Sequence, residues 1–530
     1  MIADLRTLED GLDLRCDVCI VGAGAAGLAI ALELADAPVD VILLESGGEA
    51  FDPASQSLYA AQVSAHRFVG HMDGRFRVFG GTTTRWGGQA LRLSEWDFTE
   101  RPWVKHSGWP IEHAELARYY PRATELLGLD QLDYGEALER ALGAKLPAFN
   151  RERLEPYFAK WSAQPNFAER YGATIRRARN IRVVLHANLT TITLGEDGRV
   201  ASFVARTLEG KALTVRPRFA VLATGGLETP RILLANRAQH SHGIGNGNDL
   251  VGRFLQDHPG GRFGSVAPID EDALQRTFNV YHRRGTRYSV RFALPPAVQR
   301  NQRVASASAT LMFEPDPASH FAALKRVYQL GRAGRFDVEL LHNVARSVRH
   351  LRQTLKPIAH FARGRVFSPG ANPLLFASCE QEPDPDSRVV LTDEVDALGM
   401  PRLDVQWRLS EMTGRTMRVL AATIREEIDR LGFGRVQLDA WLCADNWRDH
   451  LDDHFHHMGT TRMAQTPADG VVDTHCRIFG VPNLWIASSA VFPTGGFSNP
   501  TLTILALAIR LASHLKSSFA ANRAGGSPNS

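Results

Sequence analysis

Asp17-Val-Cys-Ile-Val-Gly-Ala-Gly-Ala-Ala-Gly27 reads as a strand, a glycine turn and the start of a helix. Val18 to Val21 is apolar and rich in β-formers. Leu28 to Leu34 has helical spacing, and Val39 to Leu44 is a second apolar strand ending in Glu45. Together they predict a βαβ half-unit. Gly22, Gly24 and Gly27 fit G-x-G-x-x-G in the strand-to-helix setting that gives the pattern meaning. The first glycine permits the tight turn, the second lets backbone approach a pyrophosphate, and the third lets the helix pack on the sheet. Ala25 opens the helix, whose free N–H groups would face phosphates. Glu45, followed by Ser46, stands where a carboxylate accepts from ribose hydroxyls. An acid there disfavours a 2′-phosphate, and so NADP.

Downstream, Arg75 to Phe98 is rich in glycine, threonine and arginine around Gly80-Gly-Thr-Thr-Thr-Arg-Trp-Gly-Gly88. Such a stretch makes a poor core element and suits extended backbone held against a flat ligand. Helical spacing returns over Glu112 to Leu127. Val183 to Leu185, Thr190 to Leu194 and Thr214 to Ala223 predict strands. Ala223-Thr-Gly-Gly-Leu-Glu-Thr-Pro230 then turns into a helix, a second close backbone approach. A later candidate motif, Gly243-Ile-Gly-Asn-Gly247, has the wrong spacing and no strand before it, so no second dinucleotide site is expected.

From about Pro259 to Asp453 the composition changes. Ser289 to Phe292, Ser306 to Phe313, Ser387 to Thr392 and Arg402 to Trp407 read as strands, and Met412 to Leu431 as an amphipathic helix. The block is expected as a mostly β layer with helices, inserted into the dinucleotide unit. Within it, residues 321–365 carry ten Lys or Arg against Asp337 and Glu339 alone. That reads first as a solvated helical face, and otherwise as a docking face for an acidic partner or a membrane surface.

At 530 residues the chain is long enough for about two to four units. Hydrophobic residues at 44% and charged residues at 22% are ordinary for a globular protein, and a net charge of +4 gives no general call for nucleic acid. Five scattered cysteines do not form a disulfide framework. Cys16-x-x-Cys19 lies on the first strand without further metal ligands and is expected as strand packing. The first residues mix acids in and show no secretory signal. The longest apolar run, Leu502 to Leu515, is broken by Arg510, so a cytoplasmic location is expected.

The chemistry concentrates near the C-terminus. His454, His456 and His457 crowd four residues, followed after a gap by Pro493-Thr-Gly-Gly-Phe-Ser-Asn499-Pro-Thr501. No Asp/Glu/His cluster at helical spacing completes a metal site here, so no metal is expected. Removing hydride from an alcohol needs a base for the hydroxyl proton, an aimed C–H bond and a donor to the oxygen as it gains charge. Histidine and asparagine supply the first and third. Val471 to Asp473 and Asn483 to Ala487 read as strands. A loop from Ser488 to Asn499 and a helix from Thr501 to Leu515 follow, which is a usual ligand position at a strand end.

These pieces together resemble the glucose–methanol–choline (GMC) oxidoreductases, FAD enzymes acting on alcohols and sugars. The matches run in order through Gly22 to Gly27 with Glu45, Gly80 to Gly88 with Arg92, and Gly108-Trp-Pro110. They continue through Ala223 to Pro230, Val251-Gly-Arg-Phe-Leu-Gln-Asp-His-Pro259, His456 to Thr460 and Phe492 to Thr503. The resemblance implies an α/β protein with a Rossmann-like FAD-binding domain from both chain ends, residues 1–258 and 456–516. An α+β substrate-binding domain at 259–455 would lie between them, and a disordered tail at 517–530 would follow. It implies proton abstraction by His456, with Asn499 as second active-site residue, and hydride transfer to flavin N5. Implied cofactor contacts are Gly80, Gly81, Thr82, Trp86, Gly87, Gly88 and Gln89 over the flavin, and Leu189 at the adenine. Ala223, Thr224, Gly225, Ser488, Ser489, Asn499, Pro500 and Thr501 complete them. Ser488 stands where many members have Asp. Arg85 takes the place of the attachment histidine of one covalent subgroup, so noncovalent FAD is expected.

The expected reaction is oxidation of a CH–OH group in a sugar, glycoside or other polyol or secondary alcohol. A dehydrogenase is favoured over an oxidase, passing electrons to a quinone, cytochrome, dye or oxygen. The alternatives are a non-redox FAD-containing lyase and a flavin-containing binding or assembly subunit.

Overall fold

Leu12–Val21 is the strand from which the first sheet grows. In the computed structural model, which describes residues 1–314, 320–332, 337–349, 351–368 and 370–524, it lies between Val41–Leu44 and Ala212–Leu222. Both pairings are parallel, with Val18 opposite Val41 and Phe219. Ile181–Leu185 and Ile2–Asp4 extend the sheet on one side, Val200–Arg206 and Asn188–Leu194 on the other. Leu484–Ile486 pairs in parallel with Ala220 to Leu222, so both chain ends meet in one eight-stranded sheet. The expected α/β class holds. Val18 to Val21, Val41 to Leu44 and Phe219 to Leu222, the adjoining ends of these strands, are apolar and buried because both faces are covered there. Cys16 and Cys19 are buried free thiols in this packing.

The second eight-stranded sheet is antiparallel. Its order is Gly434–Leu438, Gly260–Pro268, Asn372–Cys379, Ala307–Glu314, Thr286–Ala293, Glu155–Trp161 and Gln89–Ala90, with Tyr281–Arg283 paired to Thr286–Ala293. The amphipathic helix Glu411–Arg430 packs against it with Leu420, Ile424 and Ile428 buried. Arg388–Val395 and Pro401–Gln406, where two strands were expected, form a hairpin in a separate three-stranded sheet with Gln62–Val63. Three helices, His320–Arg332, Val338–Arg349 and Leu351–Ala362, also come from this block.

Two stretches fold differently from their pattern. Val471–Asp473 makes only isolated bridges, because Asp473 turns the chain at once by accepting from Cys476 N. The last helix runs from Thr501 to Ala524, beyond Leu515, because Phe519 packs edge-on against Phe219 at 4.6 Å between ring centres. Of the tail expected at 517–530, residues 525–530 lie outside the described residues.

Candidate active site

The glycine turn, the glycine-rich segment and the C-terminal loop converge on one cavity of about 960 Å³. From the first sheet it takes Gly22, Gly24, Ala25, Glu45, Ser46, Leu189, Ala223, Thr224 and Gly225. From the glycine-rich segment it takes Gly81, Thr82, Trp86, Gly87 and Gln89. From the C-terminal part it takes His456, Ser488, Ser489, Asn499, Pro500 and Thr501. Gly27, Gly80 and Gly88 stand behind this lining. A Cβ on Gly27 would lie 1.9 Å from Gly22 O, so only glycine lets the helix Ala25–Leu34 sit this close to the turn. Cβ atoms on Gly80 and Gly88 would meet Ala168 and Pro165 at 2.9 Å.

The cavity's donors suit a dinucleotide. Gly24 has no atom within 4 Å of where its Cβ would be, leaving room against a helix N-terminus with no side-chain cap. The Glu45 carboxylate accepts from Ala23 N at 2.8 Å and Gly47 N at 2.9 Å, which fixes it at the strand end. Burial raises its pKa, partly offset by those two N–H groups and Arg77. Gln89 Nε2 and Arg77 Nε are buried in this wall without a partner, so acceptor atoms of a bound molecule would satisfy them.

At the other end His456 and Asn499 meet. Asn499 Nδ2 lies 3.2 Å from His456 Nε2. An amide nitrogen only donates, so Nε2 carries the lone pair and Nδ1 the proton. That proton goes to His258 Nδ1, 2.8 Å away. Burial, then the neighbouring histidines His258, His454 and His457, push the His456 pKa well below 6.5. Burial likewise takes His258 to about 4.

Asp257 holds this group together. Residues Gln256 to Gly260 run antiparallel to Asp452 to Met458, with Gln256 N donating to Met458 O and Met458 N to Gln256 O. The Asp257 carboxylate accepts from His258 N at 2.6 Å and from His454 N and His456 N at 2.9 Å. Phe455, at φ 63°, takes a left-handed backbone rare for a bulky residue, which turns both flanking N–H groups onto one carboxylate. Burial, then Asp453, raises the Asp257 pKa to about 8. Asp257, Asp453 and His457 have ligand-type atoms within 4.8 Å of one another, the one such buried group among the described residues. Backbone N–H groups of Val69, Gly70, His258, His454 and His456 already donate to the Asp257 and Asp453 carboxyl groups. His457 also lines the cavity, but its ring lies 5.4 Å from that of Phe68 and only His456 has a hydrogen-bonding contact with Asn499 among the described residues.

Comparison with known proteins agrees with this geometry. The GMC oxidoreductase family matches residues 383–508, and the FAD dependent oxidoreductase family matches residues 17–242. The chain thus carries an FAD-dependent oxidoreductase domain and a GMC oxidoreductase C-terminal domain, and its cofactor is FAD. This oxidoreductase is 22% identical to the fructose dehydrogenase large subunit of Gluconobacter japonicus, over 94% of this chain and 97% of that one. It is 25% identical to the 6'''-hydroxyparomomycin C oxidase of Streptomyces lividus, over 98% and 94%. Among solved structures, pyridoxine 4-oxidase from Mesorbium loti shares the fold at a TM-score of 0.55 and 18% identity, covering 94% of this chain and 99% of that one.

The oxidoreductase also has site residues that sequence reading assigned no role. His258 and Asp257 lie inside Val251 to Pro259, a matched segment whose proximity to His456 only the fold shows. Arg75, Arg77 and Glu228 form a buried cluster in the cavity wall, with Arg77 Nη2 2.8 Å from Glu228 Oε1. Burial raises the Glu228 pKa, but Arg77, Arg231 and Arg75 outweigh it and hold the carboxyl at about 2. Arg291, Thr310, Phe376, Ser378 and His454 line the side of the cavity formed by the second sheet.

Proposed function

We propose that this GMC oxidoreductase oxidises a CH–OH group of a sugar, glycoside or other polyol or secondary alcohol, with His456 as proton acceptor. The observation that carries the reading is the 3.2 Å approach of Asn499 Nδ2 to His456 Nε2 on the cavity wall. A hydroxyl inserted there donates to the Nε2 lone pair and accepts from the amide. His456 is neutral at neutral pH because burial penalises its charged form, so it is ready to take the proton. Once protonated it still donates from Nδ1 to His258, and Asn499 supports the oxygen as it gains charge. Bound FAD supplies the two-electron acceptor.

In this reading Glu45, the glycine turn and Gly81 to Gln89 hold noncovalent FAD, and Leu189 meets its adenine. Residues 1–258 and 456–516 act as the FAD-binding unit and 259–455 as the substrate-binding unit. The compounds named for relatives, fructose and 6'''-hydroxyparomomycin C, favour polyhydroxylated substrates. The test is a screen of sugars and alcohols for flavin bleaching under anaerobic conditions, and for turnover with a dye acceptor and, separately, with oxygen. A substrate should bleach the flavin and reduce the dye faster than oxygen. Flavin that stays oxidised with every polyol and simple alcohol tried would refute the reading.

A further inference from the structure

The helix Val338–Arg349 is built inside out. Its inward face carries Asn343 and Ser347, both buried, which bond back along their own helix: Asn343 Nδ2 to Glu339 O at 2.7 Å and Ser347 Oγ to Asn343 O at 2.8 Å. Its outward face carries Val338, Leu341 and Val348, exposed by 81, 69 and 61%, with Val344 beside them. A soluble helix normally presents these residues the other way round. In the next helix, Leu351–Ala362, Ile358 and Phe361 are exposed as well. Branched aliphatic side chains gathered on one surface mark an interaction site rather than a scatter of single exposed residues.

The charge of the segment says what covers it. Residues 321–365 hold ten Lys or Arg and two acids. Both acids are engaged locally: Glu339 pairs with Arg326 at 2.6 Å, and Asp337 Oδ1 accepts from Leu340 N at 3.1 Å. An apolar face set in a basic segment complements a surface that is apolar beneath and anionic on top. No described helix is long and apolar enough to cross a membrane, so the element would lie in the plane of the interface. We infer that Val338–Arg349 docks the enzyme on an anionic phospholipid surface, with Val338, Leu341 and Val348 entering the headgroup boundary.

The test is co-sedimentation of the FAD-loaded enzyme with phosphatidylcholine vesicles, with and without phosphatidylglycerol. The expected result is binding to the phosphatidylglycerol vesicles that weakens with salt. It should fall about tenfold or more in the double variant Leu341→Glu, Val348→Glu. Flavin content and dye-linked turnover should be unchanged in that variant, which shows that it is folded. No binding to phosphatidylglycerol vesicles at low salt would overturn the proposal. So would equal binding by the variant. A concentration-dependent dimer in sedimentation velocity, abolished by the same substitutions without any lipid binding, would assign the face to a second copy instead.

Discussion

The two walls of the cavity are made of different material. The wall from the first sheet is mostly main chain: a glycine turn, an uncapped helix N-terminus, and Glu45 clamped by two backbone N–H groups. The facing wall is made of side chains, Arg291, Thr310 and Ser378 from three strands of the second sheet and His454 from the loop before His456. Main chain can cradle a cofactor whatever the side chains nearby, so its signature is short and local. A side-chain wall has no short signature. His456, His258 and Asn499 sit at the seam.

The seam should be the most sensitive place. His456→Ala should slow flavin reduction by substrate about 100-fold or more with FAD still bound, as expected for loss of a general base. His457→Ala should do much less, because that ring packs on Phe68. Stopped-flow reduction of both variants checks this, and equal losses would erase the distinction between them. Asn499→Ala should cost about 10- to 100-fold, the worth of one hydrogen bond to a group gaining charge. A substrate deuterated at the carbinol carbon reports on it. A wild-type rate and isotope effect would remove Asn499 from the seam.

On the main-chain wall, Glu45→Ala should weaken FAD retention by about tenfold or more and slow the loaded enzyme less. Equilibrium dialysis of FAD decides, and unchanged affinity would show that the clamp is dispensable. Acid precipitation should leave the flavin in the supernatant. The smallest effect is on pH. Burial favours neutral His456 and His258, so the acid limb of flavin reduction should fall below pH 6.5. The sign for stability follows. Both histidines bind protons less readily folded than unfolded, so their contribution is full above pH 6.5 and is lost as the pH falls towards about 4. A limb at or above 6.5 in the pH profile would contradict this.

The same contrast explains what could be read beforehand. The first sheet, its glycine turn and Glu45 were legible because backbone geometry restricts residue type at fixed spacing. His456 and Asn499 stood out through their crowded neighbours. His258 was not assigned, because its contact with His456 spans 198 positions and depends on a short antiparallel pairing that no periodicity announces. Glu155–Trp161 escaped as a strand because it carries a proline and a lysine. Lys160 is tolerated as a buried residue there because its ammonium donates to the Asp130 carboxylate at 3.0 Å and to the main-chain oxygens of Asp130 and Leu132. Residues 321–365 read as a helical face, in keeping with the helices found there, but their number and bounds were not legible, because Val338, Leu341 and Val348 face outward and leave no ordinary amphipathic pattern in Val338–Arg349.

Sharing one sheet between the two chain ends also sets a timetable for synthesis. Leu484–Ile486 completes the edge of Ala220 to Leu222, and Thr501–Ala524 packs on Ala25–Leu34. A nascent chain therefore shows its glycine turn early but cannot close the pocket until Leu484–Ile486 and Thr501–Ala524 have left the ribosome. Until then part of a central strand stays bare and open to pairing with other chains. Such distant contacts form slowly. Recovery of refolded enzyme should accordingly be limited by aggregation before the last helix docks, and adding FAD at the outset should not hasten that step.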